Sequence, residues 1–426
     1  MQQGDGVADG RADRQGSGPS TLEHARRIIL IQYEARIPSK SSSFVWPPSA
    51  VLLQIQGQLD HDLFQYSKYE ATMQYRTTFL RELCARLDAA VQDECAALRL
   101  QGVDEIEYPE VDAALLERYV ETMSSGSSGA GTIGATLGSA PETEYTTHCW
   151  PRIANSPTEV AAETDVDLLC DYAKVTIREE GSAISKGTTG LRTWEAGLRL
   201  ACHLISEPSV ITAPGTRILE LGSGAGFVGT VCATQQLMSQ QADLHTFLTD
   251  VPGQVVTRIR ETLHVNGLDG ATSVVEVKEL DWLELSAERQ QSRQRDDLPT
   301  LNFLADAKPT LILAADVVYD PDLIDPLVET IKTCLEAGTR PCRALVASTV
   351  RNPETYGAFE KSLDSFGLKA KVIEPQYPTL PLPAPEERSV ELPSLPIFPS
   401  AHDPALDGRV ELRCITLHLS RVASFN

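Results

Sequence analysis

An apolar strand that runs directly into a glycine turn is the feature of this sequence that most constrains its fold. The run Arg217–Leu221 is followed by Gly222, Gly224 and Gly226, and the residues after Gly226 favour a helix. Glycine permits backbone conformations closed to other residues and lets a ligand approach the main chain. Such a strand–turn–helix unit is typical of a parallel sheet that binds a nucleotide-like cofactor at its carboxyl edge. A tight turn without a ligand is the alternative.

The spacing of the glycines narrows the choice of cofactor. The dinucleotide fingerprint requires GxGxxG, whereas this run is GxGxG followed by Phe227, which disfavours an NAD-dependent oxidoreductase. The sequence has no GxxxxGK(S/T) pattern, so a P-loop is excluded. Glu220 stands two residues before Gly222, where a carboxylate is unexpected unless a positive group lies nearby. The methionyl amine and sulfonium of S-adenosylmethionine (AdoMet) would supply that charge.

The next two predicted strands also end in polar or aromatic residues. Asp250 follows the strand 244–249, where its carboxylate can accept both ribose hydroxyl protons of a nucleoside or cap the next helix. Asp281 and Trp282 end the strand 273–280. The acid can accept from an adenine amino group while the indole covers the ring, although a core tryptophan is an equal alternative.

A fourth strand, 310–315, reads as buried and leads into Asp316-Val317-Val318-Tyr319. The four strand ends therefore predict one row of ligand-facing groups at a single edge of a sheet. Short β-rich runs alternate with helical segments throughout this part of the chain, which predicts an α/β fold with seven strands. The predicted strands are 217–221, 244–249, 273–280, 310–314, 344–349, 368–373 and 410–419.

Composition divides the chain into four parts. Residues 1–20 are rich in Gly, Ser and Asp and predict a disordered tail, and residues 21–121 predict a mainly helical domain. Residues 122–143 predict a flexible linker, and 144–426 form the α/β domain. Within that domain, 374–408 predicts an irregular proline-rich insertion.

Two smaller features leave their roles open. Residues 286–307 predict a smaller polar insertion. Arg26 and Arg27, with neighbouring apolar residues, could form a docking helix for a substrate, although a solvated helix face explains them as well.

Charge and cysteine content exclude several classes of protein. The formal net charge of -22 argues against binding nucleic acid through a general field, because phosphates would be repelled. The negative charge is compatible with a basic partner, or it simply keeps an acidic protein soluble. The nine cysteines contain no CxxC pair, which predicts reduced thiols and no zinc site. The N-terminus has no apolar signal core and no stretch is long enough to cross a bilayer, so we expect a cytoplasmic protein without membrane contact.

The order of the motifs ELGSGAG, TD, LDW and AADVVY resembles the seven-β-strand protein-lysine methyltransferases with a DxxY motif. Two strings narrow the resemblance to the eukaryotic elongation factor 2 lysine methyltransferase family: GTTGLRTW, which ends at Trp194, and TVRNPETYGAF at 349–359. That family also carries a mainly helical N-terminal domain, with which 21–121 is compatible. The similarity covers about 170–375 and does not include the proline-rich insertion.

The resemblance implies a Rossmann-like AdoMet-dependent methyltransferase that modifies lysine in a protein, namely elongation factor 2. Its cofactor contacts fall, together with the residues argued above, on Trp194, Glu220, Gly222, Ser223, Gly224, Gly226, Asp250, Asp281, Trp282 and Ala315. The DxxY positions fall on Asp316 and Tyr319. We expect Asp316 and the adjoining carbonyls to orient the lysine amine, and Tyr319 to line the lysine channel or merely to close the strand–helix junction.

Other functions remain open at this point. An Asn-Pro-Pro-Tyr motif is absent, which disfavours glutamine and adenine as methyl acceptors. The same fold could methylate another protein or a small molecule, or serve as a non-catalytic AdoMet-binding module. The intact set of glycine turn, Asp250 and DVVY motif argues against the non-catalytic reading.

Overall fold

A computed structural model of the chain describes residues 19–65, 67–101, 108–127, 143–152, 167–180, 191–269, 274–291, 298–385 and 390–418. Most of the predicted tail, and residues 128–142 of the predicted linker, lie outside these ranges. Within the described ranges, no helix combines the length and apolar character needed to cross a bilayer.

Four helices make up the described part of the N-terminal region. The Ser20 side chain accepts a hydrogen bond from the Glu23 backbone N–H and so caps the first helix. The apolar stripe of that helix, which includes Ala25, Ile28 and Ile29, is fully buried. The helices are α1 Thr21–Glu34, α2 Ser49–Phe64, α3 Met73–Gln101 and α4 Ala113–Ser127.

Helix α4 corrects the start of the predicted linker, because it continues through Ser127. Thr122 is buried, and its hydroxyl donates to the Arg118 carbonyl. The hydroxyls of Ser124 and Ser125 donate to carbonyls four residues earlier. Serine and threonine satisfied in this way are compatible with a helix, so composition alone placed the boundary too early.

An antiparallel hairpin, β1 Thr143–Pro151 and β2 Tyr172–Glu180, is absent from the predicted strands. Its register pairs Pro151 with Tyr172, so the two strands are joined by a long connection without the short turn that reveals a hairpin in a sequence. Trp150 and Val175 are fully buried in a core that the hairpin shares with α1, α2 and the α/β sheet. The hairpin therefore joins the N-terminal helices to the sheet.

The main sheet has seven strands in the order β5-β4-β3-β6-β7-β9-β8. The first five strands in this order are parallel, and β9 runs antiparallel to β7 and β8. This topology confirms the predicted seven-stranded Rossmann-like α/β fold. The strands are β3 Arg217–Leu221, β4 His245–Asp250, β5 Val275–Glu279, β6 Leu311–Ala315, β7 Arg343–Val350, β8 Leu368–Ile373 and β9 Arg409–Leu417.

Helices cover both faces of the sheet, as parallel strands require. They are α5 Glu195–Ser206, α6 Ser209–Thr212, α7 Phe227–Ser239, α8 Gln254–Val265, α9 Trp282–Gln291, α10 Pro299–Ala307, α11 Ile324–Ala337, α12 Pro353–Ser365 and α13 Pro404–Asp407. Most of the described part of the predicted polar insertion 286–307 lies in α9 and α10. Leu285 and Leu304 anchor these helices in the core with α11, although polar residues dominate the sequence.

The described part of the proline-rich segment 374–408 is irregular apart from the short helix α13, and it packs against the core. Thr379 and Pro396 form an isolated β-bridge, and the Leu380 backbone N–H donates to the Leu395 carbonyl at 2.8 Å. Both leucines are buried, as is Phe398. The described part of the segment is therefore an ordered layer of the protein.

Candidate active site

The carboxyl ends of β3, β4 and β6 border a pocket of about 210 Å³. Parallel strands bring their ends to one edge, so residues far apart in the chain meet there. The pocket is lined by all of the predicted site residues except Gly226, namely Trp194, Glu220, Gly222, Ser223, Gly224, Asp250, Asp281, Trp282, Ala315, Asp316 and Tyr319.

At Gly222 the glycine turn leaves little room for a side chain beside the pocket. Gly222 has φ +64°, and a Cβ atom there would lie 2.9 Å from Val317 Cγ1 and 3.4 Å from the Trp282 ring. Gly226 also has a left-handed φ, +85°, but it precedes α7 and packs against Ile259 on the far side of the turn. The structure therefore gives Gly226 a role in building the turn and places it outside the pocket wall.

Asp250 links the end of β4 to the glycine turn. One carboxylate oxygen accepts from the Gly224 N–H and the other from the Val251 N–H, each at 2.8 Å. Burial raises the pKa of this carboxyl above its usual range, although both hydrogen bonds oppose the shift. The carboxylate is thus held at the pocket wall by the backbone on both sides.

Glu220 is a buried acid at the end of β3. It is 3% exposed, and its Oε2 accepts from the Gly229 N–H at 3.1 Å. Burial raises its pKa to about 8, against hydrogen bonds from Ser223 and Gly229 that lower it. Gly229, which sequence reasoning missed, makes this possible, because a Cβ there would lie 2.5 Å from the same oxygen.

Asp281 and Trp282 stand where β5 gives way to α9. The Asp281 carboxylate accepts from the Leu283 N–H at 2.8 Å and so caps the helix, while it also lines the pocket. Trp282 is the first residue of α9, and its ring lies beside Gly222. The indole and the carboxylate thus border the pocket together.

Asp316 follows β6 in a left-handed conformation with φ +54°. Its carboxylate accepts from the Thr349 N–H at 2.8 Å and from the Thr349 hydroxyl at 3.0 Å, and Arg351 Nη2 lies 3.4 Å away. Aspartate tolerates this backbone region better than most residues, and these contacts tie it to the end of β7. Tyr319, which is 54% exposed, lines the mouth of the same pocket.

Trp194 borders the pocket from the start of α5. The guanidinium carbon of Arg351 lies 5.0 Å from its ring centroid, and that of Arg192 lies 6.0 Å away, distances typical of cation–π contacts. Neither arginine is among the site residues predicted from the sequence. Arg351 stands in the TVRNPET string and Arg192 in GTTGLRTW, so both lie in the motifs that carried the resemblance.

Further lining residues that sequence reasoning missed are mainly apolar and carry little signal by themselves. They include Phe227, Val228, Leu280, Leu283, Val317 and Leu323.

The fold is Rossmann-like, and comparisons with known proteins show which family the chain resembles. Residues 170–365 match the family model described as "Lysine methyltransferase". The chain is 34% identical to protein-lysine N-methyltransferase EEF2KMT of Homo sapiens over 49% of this chain and 60% of that protein. It is 30% identical to protein-lysine N-methyltransferase EFM3 of Chaetomium thermophilum over 50% of this chain and 57% of that protein. The match thus spans less than two thirds of these relatives' length.

The matched region is similar to the lysine methyltransferase family, and the relatives it matches are those expected from the motifs. The pocket's own chemistry agrees with this assignment. A buried acid beside the glycine turn suits an amine cation, a fixed carboxylate suits ribose hydroxyls, and an indole suits an adenine ring. These groups fit AdoMet, and we assign AdoMet as the cofactor of the pocket.

Proposed function

We propose that this protein is an AdoMet-dependent protein-lysine N-methyltransferase that acts in the cytoplasm on translation elongation factor 2. The observation that carries this proposal is that Asp316 and Tyr319 line the same pocket as Gly224, Asp250 and Trp282. The similarity to relatives named protein-lysine N-methyltransferase supports the same activity.

On the cofactor side, side chains of the protein would bind AdoMet and orient it. Asp250 would accept from the ribose hydroxyls, Asp281 from the adenine amino group, and Trp282 would cover the ring. Glu220 would lose its proton when an amine cation arrives, because an opposite charge nearby favours the ionised form. When bound, AdoMet supplies a methyl group on a sulfonium for in-line transfer. The protein's main contribution is to align donor and acceptor.

On the acceptor side, the lysine amine must be neutral to attack. Its ordinary pKa is about 10.4, and desolvation together with nearby cations would lower it. The Arg192 and Arg351 guanidiniums beside Trp194 would act in this direction. Asp316, held by Thr349, would accept an N–H of the amine and fix its direction. Tyr319 would form one side of the channel and could hold a methylated ammonium by cation–π attraction.

Mass spectrometry of purified elongation factor 2, incubated with AdoMet and this protein, tests the proposal. We expect methyl groups on a lysine, and far fewer when an Asp250→Ala variant replaces the wild type at the same low AdoMet concentration. An unmodified elongation factor, together with tritium transfer from AdoMet to another lysate protein, would reject the substrate. Absence of transfer to any protein would reject the activity.

A further inference from the structure

A second cavity, of about 470 Å³, adjoins the cofactor pocket. Arg192, Thr193 and Trp194 line both spaces, so this segment forms the partition between them. Arg351 lines the second cavity and Asp316 the first, with 3.4 Å between their side chains. The two spaces therefore meet at the residues proposed to receive the lysine amine.

Three distant segments build the walls of this second cavity. Residues 35–38, which follow α1, form one wall, and the hairpin contributes Glu144 and His148 from β1. Residues 399–402 and Asp407, from the proline-rich segment, also line the cavity. The N-terminal region, the hairpin and the segment outside the family resemblance thus enclose one space.

The proline-rich wall is anchored next to the cofactor pocket. The ring of Phe398 is fully buried and lies 5.4 Å from Phe227, which lines that pocket, and 5.8 Å from His148. The Phe398 carbonyl accepts from Arg199 Nη2 at 2.5 Å. His402 Nε2 lies 2.7 Å from the Gly408 carbonyl, which closes the loop around α13. These contacts fix the position of residues 399–402.

Charge at the rim of this cavity favours a positively charged ligand. The lining acids Glu144, Glu180 and Glu195 are paired with Arg36, Arg258 and Arg199. Burial raises the pKa of Glu179 above its usual range. Asp407 stands at the rim with its side chain 54% exposed, within 3.8 Å of His402. A segment with lysine or arginine beside the target residue would thus meet negative charge at the entrance.

We propose that the second cavity is the docking site for the polypeptide segment that adjoins the target lysine, and that residues 399–402 together with Asp407 form its specificity wall. The target side chain would pass Trp194 and displace the Arg351 guanidinium from Asp316. This inference rests on the proposed lysine methyltransferase activity and adds where the protein substrate binds. It also gives the proline-rich segment a role in recognition.

An Ala401→Trp variant tests the proposal, with Ala405→Trp as its matched control. Both alanines are exposed in the same segment, but only Ala401 lines the cavity. The assay is the initial rate of tritium transfer from AdoMet to dilute lysate protein, which requires no prior choice of substrate. We expect Ala401→Trp to lower this rate about tenfold or more, equivalent to about 1.4 kcal/mol, while Ala405→Trp matches the wild type. Calorimetry should give one AdoMet affinity for all three proteins.

The indole introduced by Ala401→Trp could disturb the loop and so weaken AdoMet binding. In that case Ala401→Arg replaces it as the test, with Ala405→Arg as the control. An added cation should also slow transfer, because it repels a basic segment. Wild-type rates in a position-401 variant that binds AdoMet normally would overturn the docking site and leave the methyltransferase activity standing. A wild-type protein that labels nothing would instead overturn the proposed activity, and the docking site with it.

Discussion

The cofactor pocket and the second cavity are adjacent, yet the chain builds them in different ways. Most of the pocket comes from the ends of consecutive parallel strands, where Glu220, Asp250, Asp281 and Asp316 each lie at or just after the end of their own strand. The cavity joins residues 35–38, the β1–β2 hairpin, the start of α5 and the proline-rich segment. Strand-end motifs thus reveal the first site in the sequence, whereas tertiary packing alone creates the second.

The largest expected effect concerns the wall of the second cavity. Phe398→Ala should lower the free energy of unfolding by about 3–5 kcal/mol, because it removes a fully buried aromatic ring. Urea denaturation measures this loss. Leu406→Ala is the control in the same segment, since Leu406 is 84% exposed and should change stability by less than about 0.5 kcal/mol. Equal stabilities for the two variants would show that the segment is not anchored in the core.

A second prediction concerns the pocket alone. Asp250→Ala should raise the Kd for AdoMet at least about a hundredfold, because hydrogen bonds to a charged group contribute about 1.5–3 kcal/mol each and the Gly224 and Val251 amides also lose their acceptor. Calorimetry measures the change, with exposed Asp322→Ala as control. An unchanged AdoMet affinity in Asp250→Ala would show that Asp250 does not bind the ribose of the cofactor.

Glu220→Gln should have a smaller effect that depends on pH. We expect AdoMet affinity to fall about tenfold near pH 8, since a charge-assisted hydrogen bond is lost. In the wild type the pKa of Glu220 is raised to about 8, so the carboxyl is protonated below pH 8 and must release its proton when the AdoMet amine cation binds. Wild-type affinity should therefore rise from pH 6 to pH 8, and the variant should lack this component. Matching pH profiles would show that Glu220 does not meet the amine.

The raised pKa of Glu220 also predicts how the free energy of unfolding changes with pH. Because the pKa of Glu220 is raised on folding, the folded state holds an extra proton between the ordinary glutamate pKa and about pH 8. The contribution of Glu220 to the free energy of unfolding should therefore decrease as pH rises through this window. The difference in stability between wild type and Glu220→Gln, measured by denaturation at several pH values, should change accordingly. A constant difference would contradict the burial argument.

The smallest expected effect concerns Tyr319, which lines the cofactor pocket. Tyr319→Phe should transfer methyl groups at nearly the wild-type rate, because the ring is retained. Tyr319→Ala should lower kcat/KM about two- to fivefold, since a cation–π contact at an exposed site is worth about 0.5–1 kcal/mol. If Phe and Ala variants lose activity equally, the hydroxyl rather than the ring is the important group.

The strands of the main sheet could be predicted because each is marked by a local pattern of residues in the sequence. The bounds of β3 and β8 were predicted residue for residue, and the other sheet strands differ by one or two residues within the described chain. The β1–β2 hairpin was missed because its strands pair across a long connection. Helices α9 and α10 were missed because a few buried leucines, rather than overall composition, hold them in place.

The pocket was largely predictable, but its supporting residues were not. Gly226 was predicted to contact the cofactor, and it is the one predicted site residue that does not line the pocket. Gly229 and Thr349 were overlooked because they act through other residues: Gly229 makes room for Glu220, and Thr349 holds Asp316. Contacts of this kind depend on the folded arrangement and leave no spacing signal in the sequence.

A crystal structure with S-adenosylhomocysteine bound tests the central claim most directly. We predict that the nucleoside lies between Gly224, Asp250 and Trp282, with the sulfur facing Asp316. The second cavity should remain open toward Trp194. Electron density for the nucleoside in the second cavity, or at any cleft that leaves Asp250 and Trp282 without contact, would contradict the claim.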